Sequence, residues 1–433
     1  MSLSTNFIRR RGRLAEQLGD AIAIIATAPE AARNRDTHYP YRFDSYFYYL
    51  TGFTEPEAVA VIVGGDAPKT ILFCRDKDET REIWDGFRFG PEAALEQFGF
   101  DETYSISELD AKLPELMGNR ATLSYAIGHD PDWDARVLGW MNAVRGKARQ
   151  GIAAPKAIID VRGALDEMRL FKDAGELETM RRSARIASAA HRRAMRAAKP
   201  GRFEYEIEAE LLHTFYAAGA QSPAYASIVA GGANACVLHY VENRAALKDG
   251  ELLLIDAGCE LDGYASDVTR SFPVNGRFSA AQKDAYEIVL SAQDAAIAAV
   301  RPGAQWIAPH TAAVRVLTQG MVDLKLLVGS VDGLIESEAY NRYYMHRTGH
   351  WLGLDVHDAG EYKLDGAWRA LQPGMTLTVE PGLYIRPADG VPQALWNIGI
   401  RIEDDVAVTA EGCEVLTSPP RTVGEIEEWM AHD

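Results

Sequence analysis

Three apolar, strand-like runs in the C-terminal half of the chain each carry a carboxylate. No other feature limits so strongly what this chain can fold into. The runs are Leu252-Leu253-Leu254-Ile255-Asp256-Ala257-Gly258, Met375-Thr376-Leu377-Thr378-Val379-Glu380-Pro381-Gly382 and Ile398-Gly399-Ile400-Arg401-Ile402-Glu403-Asp404-Asp405. By composition they are buried strands. A carboxylate enclosed among such residues is costly or becomes neutral unless a cation meets it. The fold must therefore bring cations to these strands.

The Asp256 strand runs into Glu260-Leu261-Asp262-Gly263, a turn sequence, and returns as Tyr264-Ala265-Ser266-Asp267-Val268-Thr269-Arg270. A turn centred on Leu261-Asp262 places Asp256 directly opposite Asp267, at the close spacing where like charges destabilise a pair. Two carboxylates so placed either share a proton or hold a metal. The alternative is one Asp at the core edge and one in solvent. On the third run Ile398, Ile400 and Ile402 point one way, while Gly399, Arg401 and Glu403 point the other. Arg401 is then a candidate partner for Glu403, or the two form a plain surface ion pair.

Of the ten histidines, His239, His346, His350 and His357 fall among these acids, whereas His213 and His310 read as unrelated helix residues. His346 and His350 have HxxxH spacing, but the Glu of HExxH is missing and Gly349 disfavours a helix. That argues against a zincin helix. Two Asp, two Glu and one His form an oxygen-rich, hard donor set that suits Mn, Co or Fe better than structural zinc. Five ligands exceed what one catalytic ion takes from a protein, so some of the acids would bridge two ions.

The rest of the chain sets the frame. Its 433 residues are 47% hydrophobic and 25% charged, a globular composition that excludes disordered and collagen-like classes. Ala21–Ile25, Ala58–Val63 and Thr70–Phe73 alternate with helical stretches as in an α/β domain. Asp173-Ala174-Gly175-Glu176 reads as a capping box opening a long Ala- and Arg-rich helix that Pro200-Gly201 stops, so domains are expected at 1–172 and 173–433. A second helix follows from about Glu204 to Ala218. The close of the long helix, Ala194–Gly201, is echoed 102 residues later by Ala296–Gly303, which suggests a duplicated half-domain. The overall class is α/β (α+β). The net charge of −17 disfavours nucleic acid as a partner. No run of apolar residues is long enough for a transmembrane helix, and no apolar run follows the basic N-terminal cluster as in a signal peptide. Cys74, Cys236, Cys259 and Cys413 are far apart, as expected of free thiols in a reducing cytoplasm.

Taken together these elements resemble the Xaa-Pro aminopeptidase (aminopeptidase P) and prolidase branch of the M24 pita-bread metallopeptidases, over nearly the whole chain. The most specific motif is His346-Arg347-Thr348-Gly349-His350-Trp351-Leu352-Gly353-Leu354-Asp355-Val356-His357-Asp358, with the three acidic segments in the family's order. Arg33–Asp36, Tyr39–Arg42 and Tyr48–Glu57 resemble the N-terminal domain of aminopeptidase P and favour it over prolidase.

The resemblance implies an N-terminal domain followed by a duplicated pita-bread catalytic domain that holds two divalent ions, usually Mn²⁺. Asp256 would bind one ion, Asp267 and Glu403 would bridge both, and His350 and Glu380 would bind the second. It also implies hydrolysis of the bond before a proline in second position by a hydroxide between the metals, with Glu380 moving the proton. His239 and His346 would steady the oxyanion. His357, Tyr225, Tyr384 and Arg401 would line the proline pocket, and Arg401 would also hold Asp256. A homodimer or homotetramer is implied as well. The loop Glu361–Arg369, which in the family often supplies an Arg near the substrate, departs from the family pattern; Arg369 is the candidate there and Trp84 a candidate at the mouth of the site, and neither is assigned a role. A prolidase restricted to dipeptides is the alternative, and a non-catalytic pita-bread binding module is a remote one.

Overall fold

The computed structural model describes residues 3–432. It divides into two compact units that meet in sequence at Met168 and Arg169. The first unit is built on a six-stranded mixed sheet. Its strands are β1 (Ala21–Ala26), β2 (Val59–Val63), β3 (Lys69–Cys74), β4 (Glu102–Ser105), β5 (Thr122–Tyr125) and β6 (Ala157–Asp160), in the order β4-β3-β2-β1-β5-β6. β1 and β2 are buried almost throughout, which is why they read as continuous apolar runs.

The second unit consists of two halves of like construction. The first half opens with α1 (Ala174–Ala197) and α2 (Glu204–Ala217), and the second with α3 (Ala280–Ala299) and α4 (Ala308–Asp323). Both long helices begin in a capping box: Asp173 with Glu176 for α1, and Ser279 with Gln282 for α3. A capping residue of this kind contributes about 1 kcal/mol. Both are followed by a Pro-Gly whose glycine is left-handed, Gly201 at φ 90° and Gly303 at φ 81°. Each half then supplies a three-stranded antiparallel sheet. In the first it is β7 (Ile228–Gly231), β8 (Leu252–Asp256) and β11 (Thr269–Pro273), with the short strands β9 (Cys259–Leu261) and β10 (Tyr264–Ala265) at its open end. In the second it is β12 (Thr376–Val379), β15 (Asp404–Val408) and β16 (Cys413–Val415). The antiparallel pair β13 (Gly382–Ile385) and β14 (Ile398–Arg401) lies between them in sequence.

The turn after β9 differs from the expectation. It centres on Asp262-Gly263, with φ 50° and 82°, the doubly left-handed turn that Asp-Gly favours. The register therefore pairs Asp256 with Thr269 rather than with Asp267. Because side chains alternate with period two, Asp267 stays on the same face and becomes the diagonal neighbour of Asp256. Gly258 permits this close crossing, since a Cβ there would overlap the Ser266 carbonyl oxygen.

Glu403 is also placed differently. β14 ends at Arg401, and Glu403 sits in the break before β15, bridged to Thr269 of the first half. The duplication thus puts an acid just at or past the end of a strand, Asp256 on β8 and Glu380 after β12. It puts another just before the antiparallel partner strand, Asp267 before β11 and Glu403 before β15.

Near the start of the second unit, Asp358 is buried between Arg169 (2.5 Å) and Lys172 (2.9 Å). These two cations hold its carboxyl low against the opposing effect of burial. Asp358→Ala would leave both cations buried without that carboxylate, so a loss of about 3–5 kcal/mol in unfolding free energy is expected. Denaturant titration checks it, and a loss below ~1 kcal/mol would show that the triad contributes little.

Candidate metal centre and catalytic cavity

The acids at the strand ends converge on one cavity of about 990 Å³ in the second unit. Tyr225, His239, Asp256, Asp267, His346, His350, His357, Glu380, Arg401 and Glu403 all line it. Tyr384 does not. It lies behind the wall, 2% exposed, and connects His346 to Arg401. A pocket-lining role for Tyr384 is therefore corrected to a supporting one.

The Tyr225 hydroxyl lies 2.6 Å from Asp256 Oδ1 and 2.5 Å from Asp267 Oδ1. One hydroxyl proton cannot serve both carboxylates at once. Asp267, His350 and Glu403 each offer a ligand atom, all within 4.8 Å of one another. His350 Nε2 is 3.4 Å from Asp267 Oδ2 and 3.8 Å from Glu380 Oε1, while its Nδ1 donates to the Trp351 carbonyl at 3.0 Å. That bond leaves Nε2 facing the acids, the orientation a metal-ligating imidazole takes.

The electrostatics of the cluster call for cations. Burial raises the Asp256 carboxyl, with Arg401 opposing, and burial together with Asp267 raises Glu403 well above its ordinary range. Glu380 is pushed up to about 7, chiefly by burial, against the pull of His350 and Arg401. Burial works to lower His350, but the Asp267 hydrogen bond and the charges of Glu380 and Asp267 outweigh it and lift it to about 9. Among the described residues Arg401 is the guanidinium bonded to a carboxylate of the cluster. It donates to Asp256 Oδ2 at 2.6 Å, to Tyr384 Oη at 2.9 Å and to Thr269 Oγ1 at 3.2 Å. The ion-pair partner of Arg401 is thus Asp256, not Glu403. Four carboxylates and one imidazole gathered within a few ångströms, with one of the carboxylates paired to a guanidinium, form an oxygen-rich donor set that a hard divalent cation fits.

Sequence reasoning missed the supports behind the candidate ligands. Thr269 donates to Glu403 Oε2 at 2.6 Å, and the Asp267 amide donates to the Asp405 carboxylate at 3.2 Å. Arg270, fully buried, pairs with Asp404 at 2.7 Å and donates to the Glu403 carbonyl at 2.7 Å. The Thr-Arg and Asp-Asp neighbours of the ligands were the available signal.

His310 is tied to the site rather than unrelated to it. Its Nδ1 is 2.9 Å from Thr348 Oγ1, which is 2.6 Å from Tyr344 Oη, and the Thr348 carbonyl accepts from the Glu380 amide at 2.8 Å. His213 lines no part of the cavity. Gly349 lets its segment lie against β12, where a Cβ would strike the Thr378 carbonyl oxygen, so HxxxH is not on a helix.

His346 is fully committed. Its Nδ1 is 2.7 Å from the Arg347 carbonyl, so that nitrogen carries the proton, and Nε2 accepts from Tyr384 O–H at 2.9 Å. Burial, then Arg401, pushes it down to about 3, so it is neutral at ordinary pH. In this arrangement it has no N–H left for an oxyanion. His239 is exposed in the cavity. His357 is exposed too, with its ring 4.3 Å from that of His350. From the divergent loop, Lys363 and Trp368 line the cavity, whereas Arg369 is buried outside it.

The family comparisons agree with this geometry. Residues 178–410 match Metallopeptidase family M24, and residues 7–125 match the Aminopeptidase P, N-terminal domain. The Xaa-Pro aminopeptidase of Escherichia coli K12 is 46% identical over 429 residues, covering 98% of this chain and 97% of that protein. The structure of Pseudomonas aeruginosa aminopeptidase PepP superposes with a TM-score of 0.98 at 52% identity, covering 99% and 98% of the two chains. Zn-substituted E. coli aminopeptidase P in complex with product gives a TM-score of 0.97 at 44% identity, covering 100% and 98%. Strand-end acids, the His346–Asp358 segment and these matches lead to one assignment: the chain belongs to metallopeptidase family M24 and carries the N-terminal domain of aminopeptidase P.

Proposed function

We propose that the chain is a metal-dependent Xaa-Pro aminopeptidase that hydrolyses the first peptide bond of substrates with proline in second position. The observation that carries this is the cavity in which Asp256, Asp267, His350, Glu380 and Glu403 converge, with Arg401 the one Lys or Arg side chain paired with any of these carboxylates among the described residues. Two divalent ions would be held by these five residues. The oxygen-rich donor set favours manganese. Ions bound there supply Lewis acidity and lower the pKa of the attacking water.

The chain's own residues do the rest. Glu380 takes a proton from the water and returns it to the proline nitrogen, which must be protonated to leave. Arg401 fixes Asp256 and Tyr384, and through Tyr384 it orients the neutral His346. The role of steadying the developing oxyanion passes to His239, whose ring faces the cavity with no hydrogen bond among the described residues. Tyr225 and His357 form walls of the proline pocket. A cytoplasmic homo-oligomer is the proposed working form. Four free cysteines, three of them buried, fit a reducing compartment. Among the described residues no helix is long and apolar enough to cross a membrane.

A panel of Xaa-Pro, Xaa-Pro-Xaa and Xaa-Ala-Xaa peptides with added Mn²⁺ tests the reading. The tripeptide with proline is expected to have the highest kcat/KM, because the cavity side of the Glu361–Arg369 loop is not closed by Arg369. Strong preference for the dipeptide would make the chain a prolidase. Equal cleavage of the alanine peptide would remove proline specificity.

A further inference from the structure

Three Lys or Arg side chains line the catalytic cavity: Arg347, Lys363 and Arg401. Arg401 is buried and committed to Asp256 at 2.6 Å. Arg347 and Lys363 are exposed to the cavity, and among the described residues neither has a carboxylate within ion-pair distance. In a chain of net charge −17, two cations left without a carboxylate beside an acidic centre are conspicuous.

Lys363 is not a loose surface lysine. It opens a two-stranded hairpin, Lys363–Leu364 against Ala367–Trp368, in which Lys363 pairs directly with Trp368. The turn residues Asp365 and Gly366 have φ 49° and 80°, the rigid two-residue turn that presets strand register. The ammonium lies over the Trp368 ring, 4.4 Å from its centroid, which restricts the side chain's freedom while leaving its N–H groups for a ligand. Trp306 and Tyr362 continue the aromatic wall on the same cavity, their rings 4.7 Å apart. Arg347 follows His346 directly, so its side chain reaches the cavity from the segment that carries His346 and His350.

A peptide substrate of an aminopeptidase is charged in opposite senses at its two ends. Its free amine is drawn to the carboxylates Asp256 and Asp267 and repelled by Lys363 and Arg347. A carboxylate further along the peptide has the reverse preferences. We propose that Lys363, held over Trp368, together with Arg347 forms a subsite for a carboxylate downstream of the proline. This inference rests on the Xaa-Pro reading and deepens it. A C-terminal carboxylate on a tripeptide and an acidic side chain in third position offer the same chemistry.

Two peptide pairs separate those sources, assayed with the Mn²⁺-loaded full chain at low ionic strength. Xaa-Pro-Ala is compared with its C-terminal amide, and Xaa-Pro-Glu-amide with Xaa-Pro-Gln-amide. In the wild type at least one carboxylate peptide should show kcat/KM about tenfold or more above its neutral partner, expressed mainly in KM. The first pair reads the terminal carboxylate and the second the side chain. In the double variant Lys363→Gln, Arg347→Gln that ratio should fall towards one. The ratio is internal to each enzyme, so a general loss of activity does not imitate the result. Ratios near one in both wild-type pairs, or a ratio unchanged in the double variant, would overturn the proposal. Xaa-Ala-Ala-amide is run beside Xaa-Pro-Ala-amide. If proline is still preferred there while the carboxylate ratios are flat, only the subsite fails; if the proline preference is absent, the Xaa-Pro reading itself fails.

Discussion

Glu380→Gln is expected to lower kcat by roughly 10²–10⁴ while leaving the chain folded, because it removes a proton carrier without changing side-chain size. The backbone of Glu380 is anchored independently, its amide donating to the Thr348 carbonyl at 2.8 Å. The substitution also removes one anion from a crowded, buried set in which Glu380 is raised to about 7. Stability of the metal-free protein should therefore not fall. The check is kcat with excess Mn²⁺ beside a thermal melt. Activity within a few-fold of wild type would take Glu380 out of the proton path.

Stripping divalent ions with a chelator is expected to lower Tm by roughly 5–10 °C at pH 8.5, since ligands that bind only the folded state stabilise it by mass action. The loss should shrink at lower pH, and the shifted groups give the sign. Glu380 has a folded pKa of about 7, above its ordinary 4.5, so its contribution is fully present below 4.5 and is lost as pH rises through 7. His350, raised from 6.5 to about 9, contributes below 6.5 and loses that contribution as pH rises through 9. Asp256 and Glu403, also raised, act in the same direction as Glu380. Asp267 is lowered, so its contribution is present above 3.8 and is lost only as pH falls further. Chelated protein should therefore melt higher at pH 5.5 than at pH 8.5. Calorimetry of loaded and chelated samples across that range checks this. Coincident melts throughout would contradict a carboxylate cluster that needs cations.

The candidate ligand acids were legible because an acid inside an apolar strand conflicts with its surroundings, and Asp256, Glu380 and Glu403 each break such a pattern. The duplication was legible from two Ala-rich helix ends closed by Pro-Gly, since helix stops are local chemistry. At Asp262-Gly263 the structure departs from the expected hairpin register, because the turn centres on this dipeptide and not on Leu261-Asp262. The site is unaffected, since the pairing differs by two residues, the period of a strand.

Other features depended on distant segments meeting. Arg401 reaches Asp256, 145 residues away, rather than Glu403 two residues along, because the strand breaks after Arg401 and turns its neighbour towards Thr269. His310 enters the site only through Thr348 on a separate segment. Tyr384 is withdrawn behind the wall because its hydroxyl is claimed by both His346 and Arg401. His346 lost its place as an oxyanion donor for the same reason, since both of its nitrogens are already occupied. By itself the sequence determined which residue types must meet a cation, because burial of charge can be read from local apolarity. Only the tertiary structure decided which proton each of them holds and which partner it takes, because hydrogen bonds depend on distances of about 3 Å between segments that lie far apart in the chain.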